Sequence, residues 1–287
     1  MHSNSYLIAD SGSTKTDWVL KGPAGECSFQ SAGINPFYQT AEEIIPVLEK
    51  EVVPNLLWQV DKIYFFGAGC ADEQSSKPVF DALAKCIPAA KKIDIASDML
   101  GAARGLCGRE PGLACILGTG ANNAFYDGKN IIRSIGSLGF WLGDEGSGSY
   151  LGKTLVVHFL QNELPEALHE KFGAEFPEVN RLSVLDNAYK KPYPNRYFAS
   201  FSKFISENRA FPFVENMLKS AFLLFVQKYI SKHPEAKYIP IHFTGSIAYY
   251  YQDILKEVLL SKNLKPGRIL KSPLEGLLLY YSGTDLQ

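Results

Sequence analysis

Tyr6-Leu7-Ile8-Ala9-Asp10-Ser11-Gly12-Ser13-Thr14-Lys15-Thr16-Asp17-Trp18-Val19-Leu20 runs from one apolar segment, through a turn rich in serine, glycine and threonine, into a second apolar segment. Short apolar or alternating segments flanking such a turn predict a β-hairpin. The turn itself, Asp10–Thr16, has the properties of a phosphate clasp. Glycine lets backbone N–H groups approach phosphate oxygens, and hydroxyls and a lysine add donors at Ser13, Thr14 and Lys15. Asp10, at the end of the first strand, is placed to hold Mg²⁺ through water, as that ion prefers. An ordinary polar hairpin turn fits the same residues equally well.

The pattern occurs twice. Leu113-Ala114-Cys115-Ile116-Leu117 is an apolar strand leading into Gly118-Thr119-Gly120-Ala121-Asn122, and a further strand follows through Tyr126. A turn at Asp127-Gly128 leads to a strand over Asn130–Ile135. Two strand–glycine turn–strand units about one hundred residues apart suggest a duplicated lobe, with a period far too long for a solenoid. Two clasps could grip a chain of phosphates from both sides. A third glycine turn, Thr244-Gly245-Ser246, follows a strand read over Tyr238–Phe243. Its glycine would let the backbone lie against a flat base or ribose, and a helix N-cap is the equal alternative.

Between these turns, Thr40 and Glu43 form a capping-box pattern opening a helix that Pro46 and Pro54 should kink or shorten. Lys62–Gly67 reads as a buried strand, Ser76 as the cap of a helix through Cys86, and Ile93–Ser97 as a strand ending at Asp98. From Thr154 onward the chain turns helical, most clearly over Val214–Ser231. Asp98, ahead of Gly101-Ala102-Ala103-Arg104, reads first as a helix N-cap. Gly143-Asp144-Glu145-Gly146-Ser147 places adjacent acids among glycines. A solvated turn is the plain reading, while Asp144 with Trp141 nearby suits a sugar site, where aromatic faces and carboxylates meet hydroxyls. Gly152-Lys153-Thr154 imitates the end of a Walker A loop, but the required first glycine is Ser147 and the preceding strand is missing, so a P-loop is rejected.

Composition narrows the classes further. The chain has 287 residues, more than one domain usually takes, and 46% of them are hydrophobic. Lys+Arg number 29 against 30 Asp+Glu, for a net charge of −1, which argues against a partner that is nucleic acid or anionic membrane. Five cysteines, an odd number without a C-x-x-C pair, fit neither a disulfide framework nor a zinc knuckle. They read as buried thiols of a reducing compartment. Without a signal-type N-terminus or an apolar run near the ~20 residues that span a bilayer, the expected location is cytoplasmic. The histidines show no metal-ligand spacing.

The three glycine turns, in this order and spacing, resemble those of the acetate kinase/hexokinase/Hsp70/actin superfamily. Within it the chain is similar to the N-acetylglucosamine kinase branch, grouped with the activator ATPases of anaerobic benzoyl- and 2-hydroxyacyl-CoA enzymes. Asp10-x-Gly12-x-Thr14-Lys15-Thr16 matches the first phosphate motif, Gly118-Thr119-Gly120-Ala121-Asn122 the second, and Thr244-Gly245-Ser246 the adenosine motif. Gly143-Asp144-Glu145-Gly146-Ser147 matches the sugar signature. The resemblance implies an α/β fold of two actin-like, ribonuclease H-like lobes, each a mixed sheet flanked by helices, with the active site in the interlobe cleft. The lobes would be 1–109 and 110–273, with a final helix over about 274–287 packing back on the first. It implies ATP and Mg²⁺ as cofactors and a small-molecule sugar as partner; a homodimer is possible. Asp98, in Ser-Asp-x-x-Gly-Ala, matches the base facing the sugar 6-hydroxyl. Asn35, Asn122 and Asp144 match sugar contacts, Asp10 the metal residue. Gly12, Ser13, Thr14, Lys15, Gly118, Thr119, Gly120, Gly245 and Ser246 match the nucleotide site. The chain departs from the family's Gly-Gly-Trp-Gly run, reading Ser137-Leu138-Gly139-Phe140-Trp141. The implied activity is ATP-dependent phosphorylation of an amino sugar, N-acetylglucosamine first. An activator ATPase is the rival, although its paired iron–sulfur cysteines are missing; a sugar sensor on the same fold is a third reading, with no need of Asp98 or the clasps.

Overall fold

A computed structural model describes residues 5–283. The chain divides into two compact units. The first takes the residues up to Ala114, Tyr126–Ile132 and the residues from Ser272 on; the second takes Cys115–Phe125 and Arg133–Lys271.

The first sheet contains β1 (Tyr6–Ser11), β2 (Lys15–Gly22), β3 (Gly25–Ala32), β4 (Lys62–Gly67) and β5 (Lys92–Ser97), in the order β3-β2-β1-β4-β5. The pairs β1–β2 and β2–β3 are antiparallel, whereas β1–β4 and β4–β5 are parallel, so the sheet is mixed. The second contains β6 (Gly112–Leu117), β7 (Ala121–Tyr126), β8 (Ile131–Ser134), β9 (Ile241–Thr244) and β10 (Pro266–Leu270), in the order β8-β7-β6-β9-β10. The two orders correspond strand for strand, β1 to β6 through β5 to β10. The repeat read from the glycine turns is therefore a repeat of topology.

Alternation along β1 sets the two faces of the first sheet. Leu7 and Ala9 join Trp18, Ile63 and Phe65 in a core with Ile44 of α1 (Ala41–Val47) and Val79 and Leu83 of α2 (Glu73–Cys86). Ile8 faces the other way, with Val19, Phe66 and Leu277 of the C-terminal helix. That helix spans Leu274–Ser282, and residues 284–287 of the expected 274–287 segment lie outside the described residues. It crosses α3 (Asp98–Cys107) glycine on glycine: a Cβ on Gly276 would stand 1.8 Å from the Gly105 carbonyl oxygen. The crossing is locked where Arg104 donates to the Tyr281 hydroxyl at 2.8 Å and Tyr281 stacks on Tyr64 with centroids 3.8 Å apart.

In the second unit, helices α4 (Gly139–Leu142), α5 (Gly148–Leu160), α6 (Glu166–Glu175), α7 (Arg181–Tyr189) and α8 (Pro194–Ala199) come first. Then follow α9 (Ser202–Glu207), α10 (Pro212–Lys228), α11 (Ser246–Tyr250) and α12 (Gln252–Ser261), which makes the C-terminal helix α13. No helix among the described residues is long and apolar enough to cross a membrane.

Three sequence expectations need correction. The cap of α2 is Asp72, whose carboxylate accepts the Ser75 N–H at 2.8 Å while Ser75 Oγ accepts the Asp72 N–H at 3.0 Å; Ser76 is buried one turn in. The helical region begins with α4 at Gly139, and Thr154 lies inside α5, which starts at Gly148 and is capped by Ser147. The late strand starts at Ile241, because Pro240 has no N–H to give a sheet ladder. The shortening expected from Pro46 and Pro54 is present: α1 ends at Val47, and the chain continues as a π turn over Leu48–Val52 and a 3₁₀ turn over Val53–Asn55 that holds Pro54.

Candidate functional site

In the first unit the C-terminal ends of the parallel strands line up. Ser11, Gly67 and Ser97 share one register row, so Asp10 lies one residue before it on β1, and Asp98, the first residue of α3, one residue after it. Asp98 does not cap its helix. Ser97 does, accepting the Leu100 N–H at 3.2 Å, and the Asp98 carboxylate instead accepts the Met99 N–H at 2.8 Å. The capping role that made the plain reading of Asp98 attractive is thus taken by its neighbour. Burial raises the Asp98 carboxyl to about 6, opposed by the Met99 hydrogen bond. Burial, with Asp98 and Asp17 adding negative charge, raises Asp10 to about 7. Two desolvated carboxylates repelling one another form a place where a cation is favourable. Among the described residues no cluster of three His, Cys, Asp or Glu side chains would hold a metal by itself. This donor set suits Mg²⁺, which takes one or two carboxylates and completes its shell with water and phosphate.

The first glycine turn is closed by the Gly12 N–H donating to the Lys15 carbonyl at 3.0 Å. Thr14 and Lys15 are exposed and Ser13 is half-buried. The Lys15 ammonium lies 2.8 Å from Asp17, a detail the motif does not reveal. Behind the turn, Ser11 Oγ donates to the Ile34 carbonyl at 2.8 Å and accepts its N–H at 3.1 Å, which fixes Gly33-Ile34-Asn35 against it. A Cβ on Gly33 would stand 2.6 Å from the Gly12 oxygen. Asn35 is buried, its amide 3.5 Å from Ser13 Oγ.

The second unit brings the other three motifs together. The turn Gly118–Gly120 is closed by the Gly118 N–H donating to the Gly120 carbonyl at 3.0 Å. The start of α5 docks on it, with the N–H groups of Gly148 and Ser149 donating to the carbonyls of Gly118 and Thr119 at 2.8 and 3.1 Å. Gly245 abuts the same turn: its φ is +110°, and a Cβ there would stand 2.4 Å from the Leu117 oxygen. Ser246 is exposed, while Thr244 is buried and its Oγ1 meets no protein partner.

Asp144 is buried, in the left-handed region at φ 59°. It accepts the Ser137 hydroxyl at 2.6 Å and the Ala121 N–H at 3.3 Å, and Ser137 Oγ accepts the Asp144 N–H at 3.1 Å. Burial raises its carboxyl, with these hydrogen bonds opposing. Ser137 was not legible as a site residue; its only signal was its place at the start of the departure from the family run. Asn122 is half-buried and accepts the Asn123 N–H at 2.9 Å. Asn123 is a strut, donating to the Ile135 carbonyl at 2.8 Å and meeting His233 Nε2 at 2.7 Å. Glu145, buried against its charge, is stabilised by Lys228 and the Tyr229 hydroxyl. Trp141 is stacked on Tyr189 with rings 11° apart, half-exposed. Gly152-Lys153-Thr154 lies inside α5, where Lys153 donates to the Phe140 carbonyl at 3.2 Å, so it is no phosphate loop.

Two turn glycines, each immediately after the first strand of its hairpin, have room for a side chain. A Cβ on Gly118 would meet nothing within 4 Å, and one on Gly12 only the Lys15 oxygen at 3.7 Å. Neither has the positive φ that favours glycine. Neither the space around it nor the backbone requires glycine at either position.

Among solved structures, a candidate N-acetylglucosamine kinase from Porphyromonas gingivalis is 39% identical, with a TM-score of 0.92, over 97% of this chain and 99% of that one. The chain belongs to the N-acetylglucosamine kinase family. The fold recurs in solved structures of lower identity. A candidate N-acetylglucosamine kinase from Chromobacterium violaceum is 18% identical with a TM-score of 0.73, covering 96% of this chain and 98% of its own. A ROK family glucokinase from Streptomyces griseus, solved with glucose and AMPPNP, is 15% identical with a TM-score of 0.59, covering 98% and 99%. No protein-family model and no curated protein sequence matches the chain.

Proposed function

We propose that this kinase transfers the γ-phosphoryl group of ATP to the 6-hydroxyl of an amino sugar, N-acetylglucosamine first. The observation that carries the reading is the pair of glycines, Gly12 and Gly118, at the same place in two duplicated hairpins and needed by the fold at neither. In the transfer, the sugar oxygen bonds to the γ-phosphorus, the bond from that phosphorus to the ADP oxygen breaks, and the hydroxyl proton passes to Asp98. Asp98 suits this role because its carboxyl, held at about 6, is ionised at neutral pH yet a better proton acceptor than an ordinary aspartate. Asp10 is the residue that would hold Mg²⁺, whose contribution is to neutralise charge on the phosphates. Asn35, Asn122 and Asp144 are assigned to the sugar, and Ser13, Thr14, Lys15, Thr119 and Ser246, with the glycines of the three turns, to the nucleotide.

The direct test is ADP release with Mg·ATP across a panel of hexoses and amino sugars. Sugar-dependent turnover, highest with N-acetylglucosamine, is expected; ADP release indifferent to every sugar would favour an activator ATPase. A second experiment isolates the nucleotide turn. Gly118→Val adds a side chain into space empty of protein, so the melting temperature should stay within about 2 °C while ATP affinity falls at least ~10-fold. Gly120→Val is a poorer probe, because its Cβ would stand 3.1 Å from Asp144 Oδ2 and disturb the sugar side as well. Unchanged ATP affinity in calorimetry for Gly118→Val would remove that turn from the nucleotide site.

A further inference from the structure

The turn that carries Asn35 also carries two aromatic rings turned to solvent. Asn35 Oδ1 accepts the Phe37 N–H at 3.0 Å, the Asn35 carbonyl accepts the Tyr38 N–H at 3.0 Å, and the Asn35 N–H donates to Gln39 Oε1 at 2.8 Å. This bonding folds the segment into a rigid turn with Asn35 inside and the rings outside. Phe37 is 77% exposed and Tyr38 56%, with centroids 4.9 Å apart, edge to face. Neither ring is covered by the core, and Asn35's own bonding does not need them aromatic. They open onto a groove of 590 Å³ between the start of α1 and the first half of α2. Its polar wall includes Gln74, Glu42 and the Lys77–Asp81 ion pair, whose contacts are 2.9 and 3.0 Å.

We propose that this groove is a second saccharide subsite, so that the substrate class extends to amino sugars glycosidically linked to a further pyranose ring. The inference rests on the reading of Asn35 as a sugar contact. A pyranose offers one face of C–H groups and an equator of hydroxyls. Exposed ring faces beside amide and carboxylate groups match both halves of that chemistry. The volume lies within the ~300–1,000 Å³ range of small-ligand sites. A phosphate-bearing ligand is disfavoured, since Glu42 and Asp81 line the groove and its lysine is already neutralised by Asp81. The rings and Asn35 share one hydrogen-bonded turn, and the proposal seats the second ring on Phe37 and Tyr38 beside the one assigned to Asn35.

The test compares N-acetylglucosamine with N,N′-diacetylchitobiose as phosphoryl acceptors, in the wild-type protein and in the Phe37→Ala/Tyr38→Ala double variant. Both positions are exposed, so the variant should fold. The disaccharide is expected to show a KM at least ~5-fold below that of the monosaccharide, and the double variant to lose that advantage while its kinetics with the monosaccharide stay within about 2-fold. A disaccharide that is not phosphorylated while the monosaccharide is, or an equal loss with both sugars, overturns the subsite. If neither sugar is phosphorylated, it is the assigned activity that fails. Calorimetric titration with the disaccharide alone then decides the groove: binding abolished by the double variant supports it, and absence of binding to the wild type overturns it.

Discussion

Asp98→Asn should lower kcat by ~10²–10⁴, the usual contribution of a positioned general base, with the affinities for sugar and ATP little changed. The amide keeps the carboxylate's shape and can still accept the Met99 N–H, but it cannot take the hydroxyl proton. The structure sharpens this experiment, because Ser97 and not Asp98 caps α3, so the substitution leaves the cap intact. Two pH effects accompany it. The base must be ionised, and with its carboxyl raised to about 6 the wild-type kcat/KM should fall about tenfold per unit below pH 6, a limb absent from the variant's residual rate. Stability should move the opposite way. The folded protein binds the Asp98 proton more tightly than the unfolded chain, whose value is 3.8, so the stability gained from that proton is full below pH 4 and lost as pH rises through about 6. At pH 7.5 the variant, relieved of a buried charge, should melt a few degrees higher than the wild type, and the gap should close toward pH 4. Near-wild-type turnover in steady-state kinetics would remove Asp98 from the mechanism. A lower melting temperature at pH 7.5 would show its carboxylate to be stabilising.

Asp144→Ala should raise the KM for the sugar by ~10² while leaving ATP affinity within a few-fold. A buried site that pairs with a substrate hydroxyl discriminates strongly, because its loss leaves polar groups unpaired on both sides. Alanine also frees the Ser137 hydroxyl and the Ala121 N–H, and must adopt φ 59° without a polar side chain's local hydrogen bonds. Asp144→Asn separates these effects. Asparagine tolerates that backbone and still accepts from Ser137, so a KM between wild type and Asp144→Ala isolates the charge. Should calorimetry show that ATP binding, and not sugar KM, collapses in both variants, Asp144 belongs to the nucleotide or the metal.

The sequence by itself determined the hairpin motifs and the duplication, and the class of chemistry followed from their resemblance to a known family. Local rules are enough for these, since a strand that must turn at once around Gly12 or Gly118 announces itself in adjacent residues, and a second copy of the pattern carries its own internal check. Thr40 and Glu43 were legible for the same reason, with the Glu43 carboxylate accepting the Thr40 N–H at 2.9 Å. What lay beyond sequence were choices between neighbours that satisfy the same rule. Ser97 or Asp98 could cap α3, and Asp72 or Ser76 could cap α2. Only the packing of each helix on its sheet fixes which residue stands at the boundary. The roles of Ser137 and Asn123 depend on hydrogen bonds to Asp144 and to His233, the latter a contact across 110 positions of chain, and nothing in residue type or spacing distinguishes such a pairing from a solvated side chain. Tertiary structure alone also showed which glycines the fold requires. Gly276 has its place taken by the carbonyl of a crossing helix, whereas Gly118 faces open space, and that steric difference is what turns a glycine in a string of letters into an argument about a ligand.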